Sequence, residues 1–136
     1  MYILFVCKHN MFRSKIAESY FRQINKNKNL KIGSAWIVRG YLPLDRDEVF
    51  ASKSFGIKLN GKPKRLSIDL LKRQDLIFIV ADDVPLNFLN DRRYVKPTLK
   101  VVKWNIKDNP DKGEDRILKI IKQIVLKVNN LYTKLN

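Results

Sequence analysis

The sequence predicts an α/β fold: a three-layer α/β/α arrangement around a four-stranded parallel sheet. Three observations predict it. Short apolar runs rich in β-branched and aromatic residues recur along the chain, helical patterns fall between them, and no two runs are joined by a hairpin turn signal. Alternation of this kind requires right-handed crossovers and buries both faces of the sheet.

The elements follow in order. Tyr2-Ile3-Leu4-Phe5-Val6 is a fully buried strand in character. Ile16, Ala17, Tyr20, Phe21 and Ile24 then recur at helical spacing, which predicts an amphipathic helix over 13–25. A second strand is expected over 32–38, with Gly40 and Pro43 in the loop after it. Asp45 with Glu48 forms a capping-box pattern ahead of Val49, Phe50 and Phe55, and Gly56 is suited to end that helix. Ser67 is placed to cap a short helix carrying Ile68, Leu70 and Leu71. Leu76-Ile77-Phe78-Ile79-Val80 is the clearest buried strand, 84–89 reads as a helical turn or two, and 99–104 is the fourth strand. Ile117, Ile120, Ile121, Ile124, Val128, Leu131 and Leu135 share one face of the final helix.

Composition narrows the class. The 136 residues suit one domain, 1–136, and 45% hydrophobic with 30% charged residues excludes a wholly disordered chain. The longest apolar runs, 2–7 and 76–81, fall far short of the ~18 residues of a membrane span. Met1 leads into a strand without a basic n-region or cleavage site, so a cytoplasmic protein is expected. Cys7 is the single cysteine and His9 the single histidine, which excludes an internal disulfide and a Cys/His zinc cluster. No metal and no cofactor is expected. The net charge of +15 attracts phosphates and nucleic acids alike. Its Lys residues are spread over the whole chain, however, and the basic stretch 62–65 is broken by Pro63. A diffuse solvating charge is the preferred reading, nucleic acid a disfavoured partner, and a monomer or weak dimer the expected state.

In an open parallel sheet ligands bind beyond the carboxyl ends of the strands, and the first such place holds Cys7-Lys8-His9-Asn10-Met11-Phe12-Arg13-Ser14. If this loop curls, its amides converge with the N-terminus of the following helix into a nest for a tetrahedral oxyanion. Lys8, His9, Asn10, Met11, Phe12, Arg13 and Ser14 are therefore the expected phosphate-binding residues, with the Arg13 guanidinium clamping two oxygens. Cysteines in such settings fall from a pKa of ~8.5 to roughly 3.5–7.5, which would leave Cys7 an anionic nucleophile beneath the phosphorus. Ser14 is placed to donate its hydroxyl to that sulfur. Alone, Cys7 reads equally as a buried hydrophobe; the conjunction of strand, Cys-x5-Arg-Ser and helix carries the functional reading.

The signature Ile3-Leu4-Phe5-Val6-Cys7-x-x-Asn10-x-x-Arg13-Ser14-x-x-Ala17-Glu18 resembles that of the low-molecular-weight protein tyrosine phosphatase family. Similarity extends to Gly33-Ser34-Ala35, Phe55-Gly56-Ile57 and Asp75-Leu76-Ile77. The resemblance implies a phosphatase I-like, Rossmann-like fold and metal-free hydrolysis of phosphomonoesters through a phosphocysteine at Cys7. The expected substrates are phosphotyrosine proteins or small aryl phosphates. Two departures stand out: His9 occupies a position usually held by glycine, and Phe12 one where many members carry a second cysteine able to form a protective disulfide.

A leaving oxygen needs a proton donor, and the phosphocysteine needs a base to activate water. Four acids compete in 106–115. Asp111 with Glu114 makes a capping-box pattern, and Glu114 and Asp115 complement the dipole of the last helix. Asp108 lies upstream and corresponds to the family's Asp-Pro acid, although Asn109 separates it from Pro110. Asp108 is the expected general acid/base and Asp111 the reserve. Trp36, Tyr41 or Met11 could wall the substrate ring. Asp82 and Asp83, after the third strand, read less as a metal pair than as a helix cap at Asp83, with Asp82 able to hydrogen-bond the catalytic loop. The rival functions are a non-catalytic phosphate- or nucleic-acid-binding domain and an arsenate reductase using an external thiol.

Overall fold

The computed structural model describes residues 1–8, 12–37, 46–59, 64–85, 89, 92–107 and 114–136. Its elements are β1 (Tyr2–Cys7), α1 (Arg13–Ile24), β2 (Lys31–Trp36), α2 (Arg46–Ser54), α3 (Ile68–Arg73), β3 (Leu76–Val80), β4 (Lys100–Trp104) and α4 (Glu114–Leu135), with a 3-10 turn at Arg92–Tyr94. The four strands form one sheet in the order β2-β1-β3-β4, and every pairing is parallel. The expected topology is thus present. The second strand ends at Trp36, and the turn expected over 84–89 lies partly outside the described residues.

Strand alternation divides the core in two. Ile3, Phe5, Ile32, Phe78 and Trp104 pack with Ile16, Ala17 and Phe21 of α1 and with Ile117, Ile120, Ile121, Ile124 and Val128 of α4. Leu4, Val6, Ala35, Ile77 and Ile79 face the other way, where Leu70 and Leu71 of α3 lie against them. An aromatic cluster occupies the centre of the first face: the Phe5 ring lies 5.7 Å from both Phe78 and Trp104, and Phe78 lies 4.9 Å from Trp104. Local signals set the helix ends. Ser67 Oγ accepts the Leu70 amide at the start of α3, and Gly56 takes a φ of 73° after α2, a conformation that glycine adopts without a Cβ clash.

At its last residue, Trp36, the outer edge of β2 is paired by a segment that has no strand pattern in the sequence. Trp36 N–H donates to Lys64 O at 2.8 Å and Leu66 N–H to Trp36 O at 3.0 Å, a parallel bridge centred on Trp36 and Arg65. Among the described residues no helix is long and apolar enough to cross a membrane.

One buried ionic cluster joins α1 to β2. Glu18 accepts from Ser34 Oγ at 2.5 Å, from Lys15 Nζ at 3.3 Å and from the Arg22 guanidinium at 3.0 and 3.1 Å. Arg22 also donates to the Ile32 carbonyl. Burial pushes the Glu18 carboxyl up, but the Ser34 hydroxyl, Lys15 and Arg22 together hold it below its ordinary value of 4.5. A carboxyl depressed on folding contributes stability that is full above its unfolded value and lost as pH falls through its folded one. Replacing Glu18 by Gln leaves Lys15 uncompensated at 5% exposure, and is expected to cost about 3 kcal/mol at pH 7. Urea titrations of both proteins check this: the gap should narrow as pH falls below 4.5, and a gap independent of pH would refute the assignment.

Candidate active site

β1 lies between β2 and β3, so its carboxyl end is enclosed on both sides. Cys7 ends this strand at 3% exposure, in register with Trp36. The Ile37 amide closes the β2 side, donating to the carbonyls of Cys7 at 3.3 Å and Lys8 at 3.1 Å. Lys8 itself is exposed.

The chain re-emerges from the loop at Phe12, the N-cap of α1. Its ring is buried in the first core layer beside Ile16 and Phe5, and its carbonyl accepts the Ile16 amide at 2.8 Å. Phe12 provides no side-chain cap and no acid occupies the first turn, so the positive end of the helix is not neutralised from within. An apolar anchor at this position fixes where Arg13 and Ser14 start.

Ser14 is fully buried, with its Oγ 3.0 Å from the Cys7 sulfur. This is the contact expected from the sequence. Arg13 is also buried, at 6% exposure. Its Nη1 donates to the Ile106 carbonyl at 2.9 Å and lies 3.6 Å from Asp82 Oδ1. Its Nη2 donates to Asp83, 3.1 Å from Oδ1 and 3.4 Å from Oδ2. The buried cation is thereby balanced by two carboxylates from the neighbouring strand end and by a carbonyl that follows β4. The same Ile106 carbonyl accepts the Asp82 amide at 3.1 Å.

Asp83 has a long-range partner that the sequence did not indicate, while the turn it was expected to cap lies largely outside the described residues. Its carboxylate is engaged with Arg13, 70 residues upstream. The available signal was positional: two acids at the carboxyl end of β3 fall beside the end of β1 once the strand order is known, and a buried arginine needs an anionic partner. The Ile106 carbonyl carried no signal in the sequence. Of the other expected site residues, His9, Asn10, Met11, Tyr41, Asp108 and Asp111 lie outside the described residues. Trp36 is half-buried and pairs with the ends of β1 and the 64–66 segment.

A thiol at the end of an inner parallel strand, with a hydroxyl on its sulfur and a buried arginine at the start of the next helix, is the arrangement of cysteine-based phosphatases. A family model described as low molecular weight phosphotyrosine protein phosphatase matches residues 2–136, and the chain belongs to that family. It is therefore an enzyme of the cysteine-based phosphatase class, and its substrates are phosphorylated proteins or small phosphates.

Solved structures share the fold over nearly the whole chain. The chain is similar to the Drosophila arginine phosphatase DARP, with 19% identity, a TM-score of 0.83, and coverage of 100% of this chain and 98% of the other. The tyrosine phosphatase AmsI of Erwinia amylovora gives 18% identity, a TM-score of 0.78, and coverage of 98% and 91%. An arsenate reductase from Archaeoglobus fulgidus gives 26% identity, a TM-score of 0.71, and coverage of 95% and 97%. No curated protein sequence matches the chain.

Proposed function

We propose that the chain hydrolyses phosphotyrosine or related aryl phosphomonoesters through a phosphocysteine formed on Cys7. The observation that carries this reading is the 3.0 Å contact between the Cys7 sulfur and the Ser14 hydroxyl, with buried Arg13 alongside Ser14 at the start of α1. A hydroxyl so placed stabilises a thiolate and, later, a departing one.

In the first step the Cys7 sulfur attacks phosphorus, the S–P bond forms and the P–O bond to the leaving group breaks, with Asp108 giving its proton to the leaving oxygen. Arg13 and the loop amides hold the equatorial oxygens. Anchored behind by Asp83, Asp82 and Ile106, the guanidinium needs little reorganisation when charge builds on the phosphoryl group. In the second step Asp108, now a carboxylate, takes a proton from water; the water oxygen attacks phosphorus, and the thiolate leaves. Lys8, His9, Asn10, Met11 and Phe12 would complete the oxyanion nest through their backbone, with Asp111 the alternative acid.

The test is hydrolysis of a chromogenic aryl phosphate in the presence of a chelator, with and without orthovanadate. Vanadate-sensitive turnover supports the proposal. No turnover, with arsenate-dependent consumption of glutathione instead, would move the chain to the reductase chemistry. Asp108→Ala is expected to lower kcat about 10²-fold or more for poor leaving groups and little for p-nitrophenol-like ones. Equal losses for both would place the acid elsewhere.

A further inference from the structure

On the two sides of Cys7, the described residues nearest it at the carboxyl edge of the sheet carry opposite charge. Towards β3 lie Asp82 and Asp83, engaged by Arg13. Towards β2 the order is reversed: Lys8 is exposed immediately after Cys7, Trp36 pairs with Cys7, and the bridge then places Arg65 beside Trp36 with Lys64 next to it. Lys64 and Arg65 are both exposed. Neighbouring strands stand about 4.8 Å apart, so Arg65 lies roughly 10 Å from Cys7 along this row. An extended peptide covers that distance in about three residues.

We propose that Lys8, Lys64 and Arg65 form a recognition surface for acidic residues flanking the phosphorylated one, so that the preferred substrate is an acidic phosphopeptide segment. This deepens the reading of Cys7 as nucleophile and rests on it. Towards β2 the described charges next to Cys7 are basic, whereas towards β3 the acidic pair is met before exposed Lys107 beyond β4 and disfavours an acidic segment laid that way. An acid two or three positions from the phosphorylated residue is the one that meets Arg65. The row thus selects among phosphoproteins by a charge lying outside the reacting group, and small aryl phosphates, which do not reach Arg65, are indifferent to it.

The experiment compares phosphotyrosine peptides carrying Asp or Asn at the second and third positions on either side, together with a small aryl phosphate, at low and high salt. The wild type is expected to favour Asp by about threefold to fivefold in kcat/KM per acid at low salt on one side of the phosphotyrosine, with the preference fading as salt rises. Arg65→Glu should abolish or invert the preference while leaving aryl phosphate turnover unchanged, and Arg65→Lys should retain most of it. Lys119→Glu, an exposed change on α4, should leave it intact.

Equal rates for Asp and Asn peptides in the wild type overturn the proposal. So does an equal loss of preference in Lys119→Glu and Arg65→Glu, which would assign the effect to the diffuse charge. If no substrate releases phosphate, the catalytic reading has failed. Fluorescence anisotropy with the same labelled peptides then decides the surface: tighter binding of the Asp peptides that Arg65→Glu removes supports it, and indifference overturns it.

Discussion

Replacing Cys7 by Ser should lower metal-free turnover of an aryl phosphate on the order of 10⁴-fold or more while vanadate and inorganic phosphate still bind. The two sides of this expectation have separate causes. Serine is nearly isosteric, and Ser14, Arg13 and the start of α1 stay in place around it, so the oxyanion site survives. A hydroxyl has a far higher pKa than a thiol, however, so it is almost wholly protonated at neutral pH and attack on phosphorus stalls. Removal of a nucleophile in hydrolases with covalent intermediates has effects of this size. Steady-state rates with the variant, combined with vanadate titration by calorimetry, check both halves. Retained turnover would show that Cys7 is not the nucleophile; lost turnover with lost vanadate binding would mean a collapsed site.

Arg13→Lys is the second large effect. Lysine keeps the positive charge but not the planar fork, and one ammonium cannot reproduce contacts to Ile106, Asp82 and Asp83 on one side while gripping two phosphoryl oxygens on the other. The expected fall in kcat/KM is about 10³-fold, the scale at which a transition-state arginine acts, or about 4 kcal/mol of barrier. Arg13→Ala should be worse for binding as well as for rate, because Asp82 and Asp83, each with its side chain 37% exposed, then repel the incoming anion. Adding Asp83→Asn to Arg13→Ala should therefore recover part of the phosphate affinity without restoring turnover. Activity of Arg13→Lys within threefold of the wild type would remove Arg13 from the phosphate clamp.

What was legible in the sequence is what depends on neighbours along the chain. The unbroken apolar run of β3 could only be a strand covered on both faces, and the stripe from Ile117 to Leu135 could only be one face of a long helix. The Cys7–Ser14 contact was legible for the same reason: the end of a strand and the start of the next helix bring the two together within eight residues. What escaped depends on long-range pairing. Lys64-Arg65-Leu66 has no apolar alternation, and its bridge exists because Trp36 presents an edge to it. Lys15 and Glu18 stand three positions apart on α1, and it is Ser34 on β2, bonded to Glu18, that makes them part of a buried cluster. The pairing of Asp83 with Arg13, brought in on the helix that follows the neighbouring strand, escaped for the same reason.

The Ile106 carbonyl takes one hydrogen bond from the Arg13 side chain and another from the Asp82 backbone, and the chain reaches Asp108 only two residues later. In the proposed mechanism, grip on the phosphoryl group and delivery of the proton would both lean on this one carbonyl. On that reading, a shift of the guanidinium as phosphate arrives or departs is expected to be felt at Ile106, from which the chain leads on to the proposed acid. A substitution that loosens one is therefore expected to detune the timing of the other, even where neither Arg13 nor Asp108 is changed.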